Sequence, residues 1–390
     1  MKSKSFSRRR FLKTFSIGIG ATSVLPFHRL FNPYTDEKYY QKWRRMEELP
    51  EEEKLGIALV GLGSYSTNQL APALLEAKLC KLSGVVTGTP AKEDEWAEQY
   101  DIPRSNIYNY ENYDQIAENP GIDIIYIVLP NGMHAEYTIR AAEAGKHVIC
   151  EKPMATTVED CRKMLDVCAE NDRKLSIGYR LHYEPHHEEL MKLGTGQIQG
   201  PVREVQGGLG FNITGNPDVW RLDRELAGGG PMMDVGIYVI QSSIYTLGEL
   251  PVAVTAEKEL TMPDIFDEVE ETIYWQMEFP SGAILDGETS YLHGSNYQYT
   301  HARDLSFGLQ PCYSYSGIQG EIGDEPMDFP EINQQTLQMD AFSDHILNDA
   351  SNRVPGEMGM RDVEIMMEIY KAAETGERVE LNLSKYDGIY

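Results

Sequence analysis

The chain has 390 residues, of which 41% are hydrophobic and 25% charged, and its formal net charge is −26. This length is too great for one hydrophobic core and predicts two domains. A strongly acidic surface repels phosphate backbones and anionic lipids, so the composition argues against nucleic-acid binding and against work on a membrane surface.

Residues 1–30 resemble a twin-arginine export signal. The pair Arg8-Arg9 stands in "SRRRFLK", and the short apolar stretch that follows contains many Gly, Ser and Thr residues. The stretch is shorter than the roughly 20 apolar residues that span a bilayer, so we expect no membrane insertion. We expect a periplasmic protein that the twin-arginine machinery exports already folded; a disordered basic tail is the alternative. Residues 31–54 then form a charged, aromatic arm, either a spacer or a segment that wraps a neighbouring subunit.

Residues 55–176 alternate apolar strands with helices. The runs "GIALVGLG", "KLSGVVTG", "GIDIIYIVLP", "KHVICEKP" and "KLSIGYRLHY" are typical of strands buried on both faces, with a helix between each pair. This alternation predicts a doubly wound parallel sheet, the Rossmann fold.

Residues 177–390 show a different pattern. Strands of alternating polarity ("PVREVQGGLGF", "PVAVTAEKEL", "VEETIYWQMEF", "GAILDGETSYL") surround one helix, "GGPMMDVGIYVIQSSIYTLG", and two helices follow near the end of the chain. The pattern predicts an α+β domain with a large, mostly antiparallel, open-faced sheet. Two further segments are expected to hold the residues that select a substrate: the stretch "GNPDVWRLDRE" and the loop "HGSNYQYTHARDLSFGLQPCYSYSG". The whole chain is therefore α/β in class, and its last helices can pack back on the first domain.

The turn "GLGSYS" after the first strand predicts dinucleotide binding. Gly61 and Gly63 occupy the first two glycine positions of the G-x-G-x-x-G motif, and Ser66 replaces the third glycine. The glycines permit a tight turn and a close approach of a pyrophosphate to the helix N-terminus. A turn that is only structural is the alternative.

The end of the second strand indicates which dinucleotide binds. An NAD site usually places a carboxylate there for the ribose 2′-hydroxyl. Here "VVTGTPAK" offers Thr87 and Lys92, groups suited to a 2′-phosphate, so we expect NADP. Glu93 and Asp94 on the following helix keep NAD possible.

Three residues can carry hydride-transfer chemistry. Lys152 ends a strand in "CEKP", at the sheet edge where such folds bind ligands, and Asp234 and Tyr238 are one helical turn apart in "MMDVGIY". Beside a lysine ammonium, a tyrosine oxygen can accept the proton of a sugar hydroxyl while its hydride leaves. The structural alternatives are a surface lysine, an aspartate cap and a core tyrosine.

The segment "GYRLHYEPHH" contains His182, His186 and His187 and has the composition of a metal site. The histidines would need a continuous helix to converge, and Pro185 interrupts it. We therefore predict no metal. The five cysteines show neither a C-x-x-C pair nor a disulfide framework.

Several long motifs together resemble the glucose–fructose oxidoreductases, a branch of the superfamily that includes inositol dehydrogenases. They are "VGLGSYSTNQLAPALLEA", "IIYIVLPNGMHAEYTIRAAEAGKHVICEKPMATTVEDC", "IGYRLHYEPHH" and "WRLDRELAGGGPMMDVGIYVIQ". The resemblance implies an NADP-dependent enzyme that keeps its cofactor bound, oxidises one sugar at C1 to the lactone and reduces a second sugar. It also implies a homodimer or homotetramer built on the open sheet face, with the arm reaching across a neighbour's cofactor.

The same resemblance assigns site residues. Lys152, Asp234 and Tyr238 take the catalytic positions; many superfamily members have His in place of this tyrosine, whereas the glucose–fructose branch has Tyr. The expected cofactor contacts are Gly61, Leu62, Gly63, Ser64, Tyr65, Thr87, Lys92, Leu129, Pro130, Asn131, His134, Glu151, Lys152, Arg180, Trp220 and Arg221. The expected substrate contacts are Tyr179, His182, Tyr183, Asp234 and Tyr238.

Three other functions stay open from the sequence. One is a sugar or inositol dehydrogenase with an exchangeable NAD(P). Another is a redox-neutral, NAD-dependent glycosidase that oxidises a sugar transiently, and a third is a non-enzymatic sugar-binding protein. A Rossmann-type fold serves many chemistries, so the fold alone does not choose among them.

Overall fold

A computed structural model describes residues 37–216 and 219–390. The predicted export signal at 1–30 and the first residues of the arm lie outside these ranges. Within the described ranges no helix combines the length and the apolar character that a bilayer crossing requires.

The described part of the arm packs on its own chain. Its helix α1 (Tyr39–Arg45) is fixed by two contacts: the Trp43 indole donates to Asp340 at 2.6 Å, and the Lys42 ammonium lies 3.0 Å from the Asp344 carboxylate. Several aromatic and basic residues of the arm are thus bound to their own subunit, and a contact of the arm with a neighbour's cofactor stays a prediction.

The first sheet has six parallel strands in the order β3-β2-β1-β4-β5-β6. They are β1 (Leu55–Val60), β2 (Cys80–Val86), β3 (Ile107–Tyr108), β4 (Ile124–Ile127), β5 (His147–Cys150) and β6 (Leu175–Ile177). The doubly wound sheet is confirmed, and five of its strands lie where the apolar runs predicted them. The sequence missed β3 because two residues are too short to show a period.

Helices cover both faces of this sheet. A π-helical turn (Ser66–Leu70) leads into α2 (Ala71–Leu74), and α3 (Pro90–Tyr100), α4 (His134–Glu143) and α5 (Val158–Glu170) follow. Pro90 suits the first position of α3 because that position needs no backbone donor, and the Thr157 hydroxyl caps α5 by accepting from Asp160 N at 3.1 Å.

The second sheet has nine strands in the order β14-β13-β12-β11-β7-β10-β9-β8-β15. The pair β7·β10 is parallel, and the other pairs are antiparallel. The strands are β7 (Val202–Gly210), β8 (Ala253–Glu259), β9 (Thr272–Glu278), β10 (Ile284–Ser290), β11 (Ser295–Ala302), β12 (Ser306–Leu309), β13 (Gly320–Ile322), β14 (Glu325–Pro326) and β15 (Val379–Glu380). The mostly antiparallel sheet is confirmed.

The helices of this half are α6 (Pro185–Thr195), α7 (Arg224–Ala227), α8 (Ile237–Leu247), α9 (Gln334–Asn348) and α10 (Gly356–Thr375). Apolar α8 is the helix predicted among the strands, and it packs on the inner face of the sheet, where Val239 lies against Gly207. The outer face keeps partly exposed side chains such as Tyr274 and Gln276 on β9.

One predicted loop is largely sheet. The stretch that begins "HGSNYQYTHARD" contains β11 and β12. Both faces of β11 carry polar groups: Gln298 and Thr300 are buried, and Gln298 donates to the Thr246 hydroxyl at 3.0 Å. Because the strand lacks an apolar face, its sequence shows no hydrophobic alternation.

Candidate active site

A cavity of about 660 Å³ is lined by residues of both the first half of the chain, which forms the parallel sheet, and the second half. Lys152 follows strand β5 at the carboxyl edge of the parallel sheet, where doubly wound folds bind ligands. The lining residues are Gln69, Lys152, Arg180, Leu209, Phe211, Arg221, Asp234, Val235, Tyr238, Tyr313, Ser314, Tyr315 and Ser316.

The glycine loop next to this edge fits a dinucleotide. Gly61 has φ +93°, and a Cβ there would come within 2.5 Å of the Val128 carbonyl oxygen, so only glycine suits the position. A Cβ on Gly63 would meet nothing within 4 Å, which leaves open space above the loop for phosphates. Ser66, in the third glycine position, donates to the Gly61 carbonyl at 2.6 Å and tightens the turn.

The predicted 2′-phosphate contacts lie beside the loop. The Lys92 ammonium donates to the carbonyl of Leu62, a glycine-loop residue, at 2.5 Å, and the Thr87 hydroxyl accepts from Thr89 N at 3.1 Å. Asp94, one of the acids that kept NAD possible, forms a 2.6 Å ion pair with Arg104 at the surface. The Lys92 ammonium and the two threonines, Thr87 and Thr89, therefore lie where the ribose of the cofactor is expected to bind.

The three predicted catalytic residues converge. The Lys152 ammonium donates to the Asp234 carbonyl oxygen at 2.5 Å and lies 3.5 Å from its carboxylate. The same ammonium is 5.0 Å from the centre of the Tyr238 ring. Asp234 lies in a π-helical turn (Met232–Gly236) that runs into α8, so the wide turn and the first turn of the helix present both side chains to the cavity.

Two cations keep Asp234 ionised. Arg221 Nε donates to its carboxylate at 2.7 Å, and the Tyr291 hydroxyl donates to the same oxygen at 3.1 Å. Burial opposes the charged form, but the attraction of Arg221 and Lys152 outweighs it and holds the pKa of Asp234 below its usual value. The site thus holds a fixed negative charge between two positive ones.

Arg180 forms part of the cavity wall. Its guanidinium donates to the carbonyl oxygens of Tyr313 at 2.6 Å and Ser314 at 3.0 Å, and to the side chain of Gln334. The guanidinium carbon also lies 5.2 Å from the centre of the Tyr238 ring. These hydrogen bonds hold the guanidinium against Tyr313, Ser314 and Gln334, and its contact with the cofactor stays a prediction.

Other predicted cofactor contacts lie near the sheet edge but are used within the protein. The ring nitrogens of His134 are each 2.8 Å from a carbonyl oxygen, those of Leu129 and Pro153, and burial lowers its pKa. The His134 side chain is therefore occupied within the protein, and its contact with the cofactor stays a prediction. Asn131 donates to Ala227 O at 2.9 Å, and Glu151, whose pKa is raised by burial, accepts from Tyr126 at 2.7 Å.

Three predicted substrate contacts do not line the cavity. The Tyr179 hydroxyl donates to Asp362 at 2.6 Å, His182 is bonded to Gln241 at 2.8 Å, and the Tyr183 ring packs against the arm. After β6 the chain turns into a 3₁₀ helix (Arg180–Tyr183), and only its first residue lines the cavity, so the structure does not bring these three side chains to the cavity and their substrate contacts stay predictions.

The remaining predicted residues stay near the site. Leu62 and Leu129 are buried, Ser64 is exposed, and Pro130 precedes a 3₁₀ turn at the sheet edge. Trp220 stacks on Arg221 at 4.5 Å but is not among the lining residues. Tyr65 contacts the Tyr315 ring with centres 5.5 Å apart.

Sequence reasoning missed eight lining residues. They are Gln69, Leu209, Phe211, Val235, Tyr313, Ser314, Tyr315 and Ser316. The run "PCYSYSG" was part of a loop expected to select the substrate, but no spacing rule connects it to a strand end, and long-range contacts bring it to the cavity.

In the described ranges, no three His, Cys, Asp or Glu side chains are grouped as metal ligands, and Pro185 starts α6 after the turn that holds His182.

Comparison with known proteins identifies the family. Residues 55–179 match the model of an oxidoreductase family with an NAD-binding Rossmann fold, and residues 190–309 match the GFO/IDH/MocA C-terminal domain. The chain belongs to the GFO/IDH/MocA family. This confirms the resemblance seen in the sequence and the expectation of a nicotinamide dinucleotide as cofactor.

Members of the family span nearly the whole chain. The crystal structure of an aldose–aldose oxidoreductase from Caulobacter crescentus, complexed with glycerol, is 41% identical, with a TM-score of 0.81 over 84% of this chain and 100% of that one. A D-xylose 1-dehydrogenase [NADP(+)] from Haloarcula marismortui is 29% identical over 86% of this chain and 96% of its own. A D-glucoside 3-dehydrogenase from Escherichia coli is 26% identical over 84% and 97%.

Proposed function

We propose that the protein is an NADP-containing sugar oxidoreductase that oxidises an aldose at C1 to the lactone and reduces a second sugar with the same bound cofactor. The observation that carries the proposal is the convergence of Lys152, Asp234 and Tyr238 in one cavity beside the glycine loop. The 41% identical relative that acts between two aldoses, and the xylose dehydrogenase, support a sugar as substrate.

The residues of the cavity can manage the proton of the reaction. A nicotinamide held beside Lys152 and Tyr238 would supply the hydride acceptor for one sugar and the hydride donor for the other. Tyr238 takes up the hydroxyl proton of the first sugar and gives it back to the carbonyl oxygen of the second. The Lys152 ammonium, 5.0 Å from the centre of the Tyr238 ring, stabilises negative charge shared between the sugar oxygen and the tyrosine oxygen in the transition state.

Asp234 orients this machinery rather than moving the proton. The Asp234 carboxylate accepts a hydrogen bond from Arg221 at 2.7 Å and lies 3.5 Å from the Lys152 ammonium. It therefore holds the ammonium close to the reacting oxygen of the sugar. Because Asp234 is already held by two cations and a tyrosine, it is poorly placed to act as the base.

Retention of NADP by the enzyme follows from its expected location in the periplasm. The signal at 1–30 implies export in the folded state, and the periplasm is expected to lack a free nicotinamide pool. The protein then loads NADP in the cytoplasm, with Lys92 and Thr87 holding the 2′-phosphate. Each oxidation must be matched by a reduction in the same site.

The content of the purified protein tests this proposal. The protein is purified without added cofactor, denatured, and the released nucleotide is quantified by chromatography. We expect one NADP(H) for each chain, and lactone and alditol formation from a sugar pair without added cofactor. An empty site with activity only on added NAD(P) would instead indicate a dehydrogenase with an exchangeable cofactor. Hydrolysis of a glucoside without net redox change would indicate a glycosidase.

Export can be tested by changing Arg8 and Arg9 to lysine. This substitution keeps the positive charge and removes the paired arginines that the twin-arginine machinery recognises. We expect the wild type in the periplasmic fraction and the double variant in the cytoplasm. Equal periplasmic amounts of both would contradict export by this route.

We also propose a homodimer or homotetramer built on the outer face of the second sheet. This face carries the stacked rings of Tyr297 and Tyr299 on β11, 5.5 Å apart, and, beyond β7 and β10, the partly exposed Tyr274 of β9. Aromatic side chains are enriched at such interfaces. Light scattering should give a multiple of the chain mass, and Tyr297→Glu should reduce it; a monomeric wild type would contradict this proposal.

A further inference from the structure

The segment 313–316, which we call the sugar-side wall, belongs to a loop that the sequence predicts to select the substrate, but none of its residues has an assigned role. All four of its residues line the cavity that holds Lys152 and Tyr238. The wall comes from the second half of the chain and touches the glycine loop at Tyr65.

The main chain of this wall is fixed from behind. Arg180 donates to the carbonyl oxygens of Tyr313 at 2.6 Å and Ser314 at 3.0 Å, and Gln334 donates to Ser314 O at 3.2 Å. Asn296 accepts from Tyr313 N at 2.7 Å. Because these backbone groups are satisfied from the protein interior, the wall offers a ligand its side chains.

Tyr315 is the side chain best placed to meet a ligand. Its side chain is 45% exposed, yet its ring is held between Tyr65, 5.5 Å away, and the Arg180 guanidinium, 4.5 Å away. Desolvation raises the pKa of Tyr315, so its hydroxyl is neutral at physiological pH and can both donate and accept. A fixed neutral hydroxyl suits a polyhydroxylated, uncharged ligand.

The hydroxyl of Tyr65 gives an independent observation. It is fully buried and has no hydrogen-bond partner among the described residues. A buried polar group of this kind normally binds a ligand or water, because leaving it unpaired is costly. Tyr65 follows the two glycines of the loop and contacts Tyr315, so a group that requires a partner lies where the cofactor loop meets the wall.

We propose that Tyr315 is a specificity-determining residue whose hydroxyl binds a sugar hydroxyl other than the one at the reacting carbon, and that Arg180 is a positioning residue for this wall. The proposal rests on the proposed function, because Tyr238 and Lys152 define where the reacting carbon lies. Arg180 contacts both the Tyr238 and Tyr315 rings, so a sugar held at Tyr238 brings a neighbouring hydroxyl to Tyr315.

Tyr315→Phe tests the first half of the proposal. Steady-state kinetics are compared for D-glucose, D-galactose, D-xylose and 2-deoxy-D-glucose, and NADPH affinity is followed by protein fluorescence. Loss of one neutral hydrogen bond predicts a KM for the preferred sugar raised by about 3–10-fold, with kcat and NADPH affinity changed by less than about twofold. The ratio of kcat/KM between that sugar and the analogue lacking the contacted hydroxyl should fall by a similar factor, because the analogue has no such bond to lose.

Tyr100→Phe is the matched control. Tyr100 ends α3, and its hydroxyl accepts only a surface bond from Gln99, so removing that hydroxyl should change no sugar constant. If Tyr315→Phe leaves KM and the sugar ratios like those of this control while the wild type is active, the proposal is overturned and the proposed function stands. A wild type inactive toward every aldose overturns both.

Arg180→Lys tests the second half. Lysine keeps the charge but cannot hold two carbonyl oxygens with one planar fork. We expect the same rise in KM with NADPH affinity unchanged, whereas NADPH binding weakened by about tenfold would make Arg180 a cofactor ligand and overturn its positioning role. Gln334→Ala, which removes a second support of the wall, should shift sugar KM in the same direction and serves if the Arg180 variant does not fold.

Discussion

The cofactor side and the sugar side of the cavity are built in different ways. The cofactor side is one continuous stretch of main chain, the end of β1 and the loop through Gly61 and Gly63, shaped by the absence of side chains. The sugar side consists of side chains from segments that are distant in sequence, such as Arg180, Arg221 and Tyr315.

This difference determines which kind of substitution should impair each side of the site. The cofactor side should be damaged by adding atoms, because its function is to leave room for phosphates. The sugar side should be damaged by removing atoms, because its function lies in hydroxyl, guanidinium and carboxylate groups. The predictions below test this contrast.

The largest effect is expected on the sugar side from Tyr238→Phe. The variant lacks the oxygen that exchanges the proton, so kcat should fall by about 10²–10⁴-fold. NADP(H) content should stay at the wild-type level, because the substitution removes no atom from the glycine loop. Turnover near that of the wild type would exclude Tyr238 from proton transfer.

On the cofactor side, Gly63→Ala should weaken NADP binding by about 10–100-fold, since a methyl group would occupy the space left for the pyrophosphate. The new Cβ meets no protein atom within 4 Å, so the apo protein should melt at nearly the wild-type temperature. Unchanged nucleotide content would show that the phosphates bind elsewhere.

Low pH should reduce the free energy of unfolding, because His182 is buried in its neutral form. Burial lowers the pKa of His182 to about 3, so the folded state holds it neutral, whereas the unfolded chain binds a proton below about pH 6.5. Stability therefore falls as the pH drops from about 6.5 toward 3, by up to about 1.4 kcal/mol per pH unit for this group.

His182→Gln should reduce that slope in urea denaturation between pH 6.5 and 5. The control is His301→Gln, which removes a histidine bonded to Ser306 on the second sheet. This variant should keep the wild-type slope. Identical slopes in wild type and His182→Gln would contradict a neutral, buried His182.

The smallest effect is expected at the ribose end. Lys92→Ala should lower the preference for NADP over NAD by about fivefold, because one partly screened ammonium is lost from the 2′-phosphate site. Lys92→Arg, which keeps the charge, is the matched control. An unchanged preference, measured by competitive reconstitution of the apo protein, would place the 2′-phosphate contacts elsewhere.

The sequence predicted the glycine loop of the cofactor side, although other expected cofactor contacts, among them His134 and Asn131, are bonded within the protein. A glycine motif between an apolar strand and a helix specifies its own geometry, so Gly61, Gly63 and the parallel sheet could be found without a structure. Lys152, Asp234 and Tyr238 were also found, because a strand end and a helical spacing each place a side chain on a known edge or face.

The sugar side could not be predicted in this way. Tyr315 reaches the cavity because Arg180 and Gln334, which are distant in the chain, hold its loop, and no local period records such a contact. Tyr179 and His182, which the family resemblance assigns to the substrate, do not line the cavity. Their side chains turn into the interior toward Asp362 and Gln241.

The most direct test of the account follows a deuterium label between two sugars. An aldose labelled with deuterium at C1 is incubated with an unlabelled acceptor sugar, the holoenzyme and an excess of free, unlabelled NADP. Because one retained cofactor faces both sugars in the same cavity, the account predicts that the alditol carries the deuterium and that free NADPH carries none. Deuterium in the free NADPH pool, with alditol formed only when NADP is added, would contradict it.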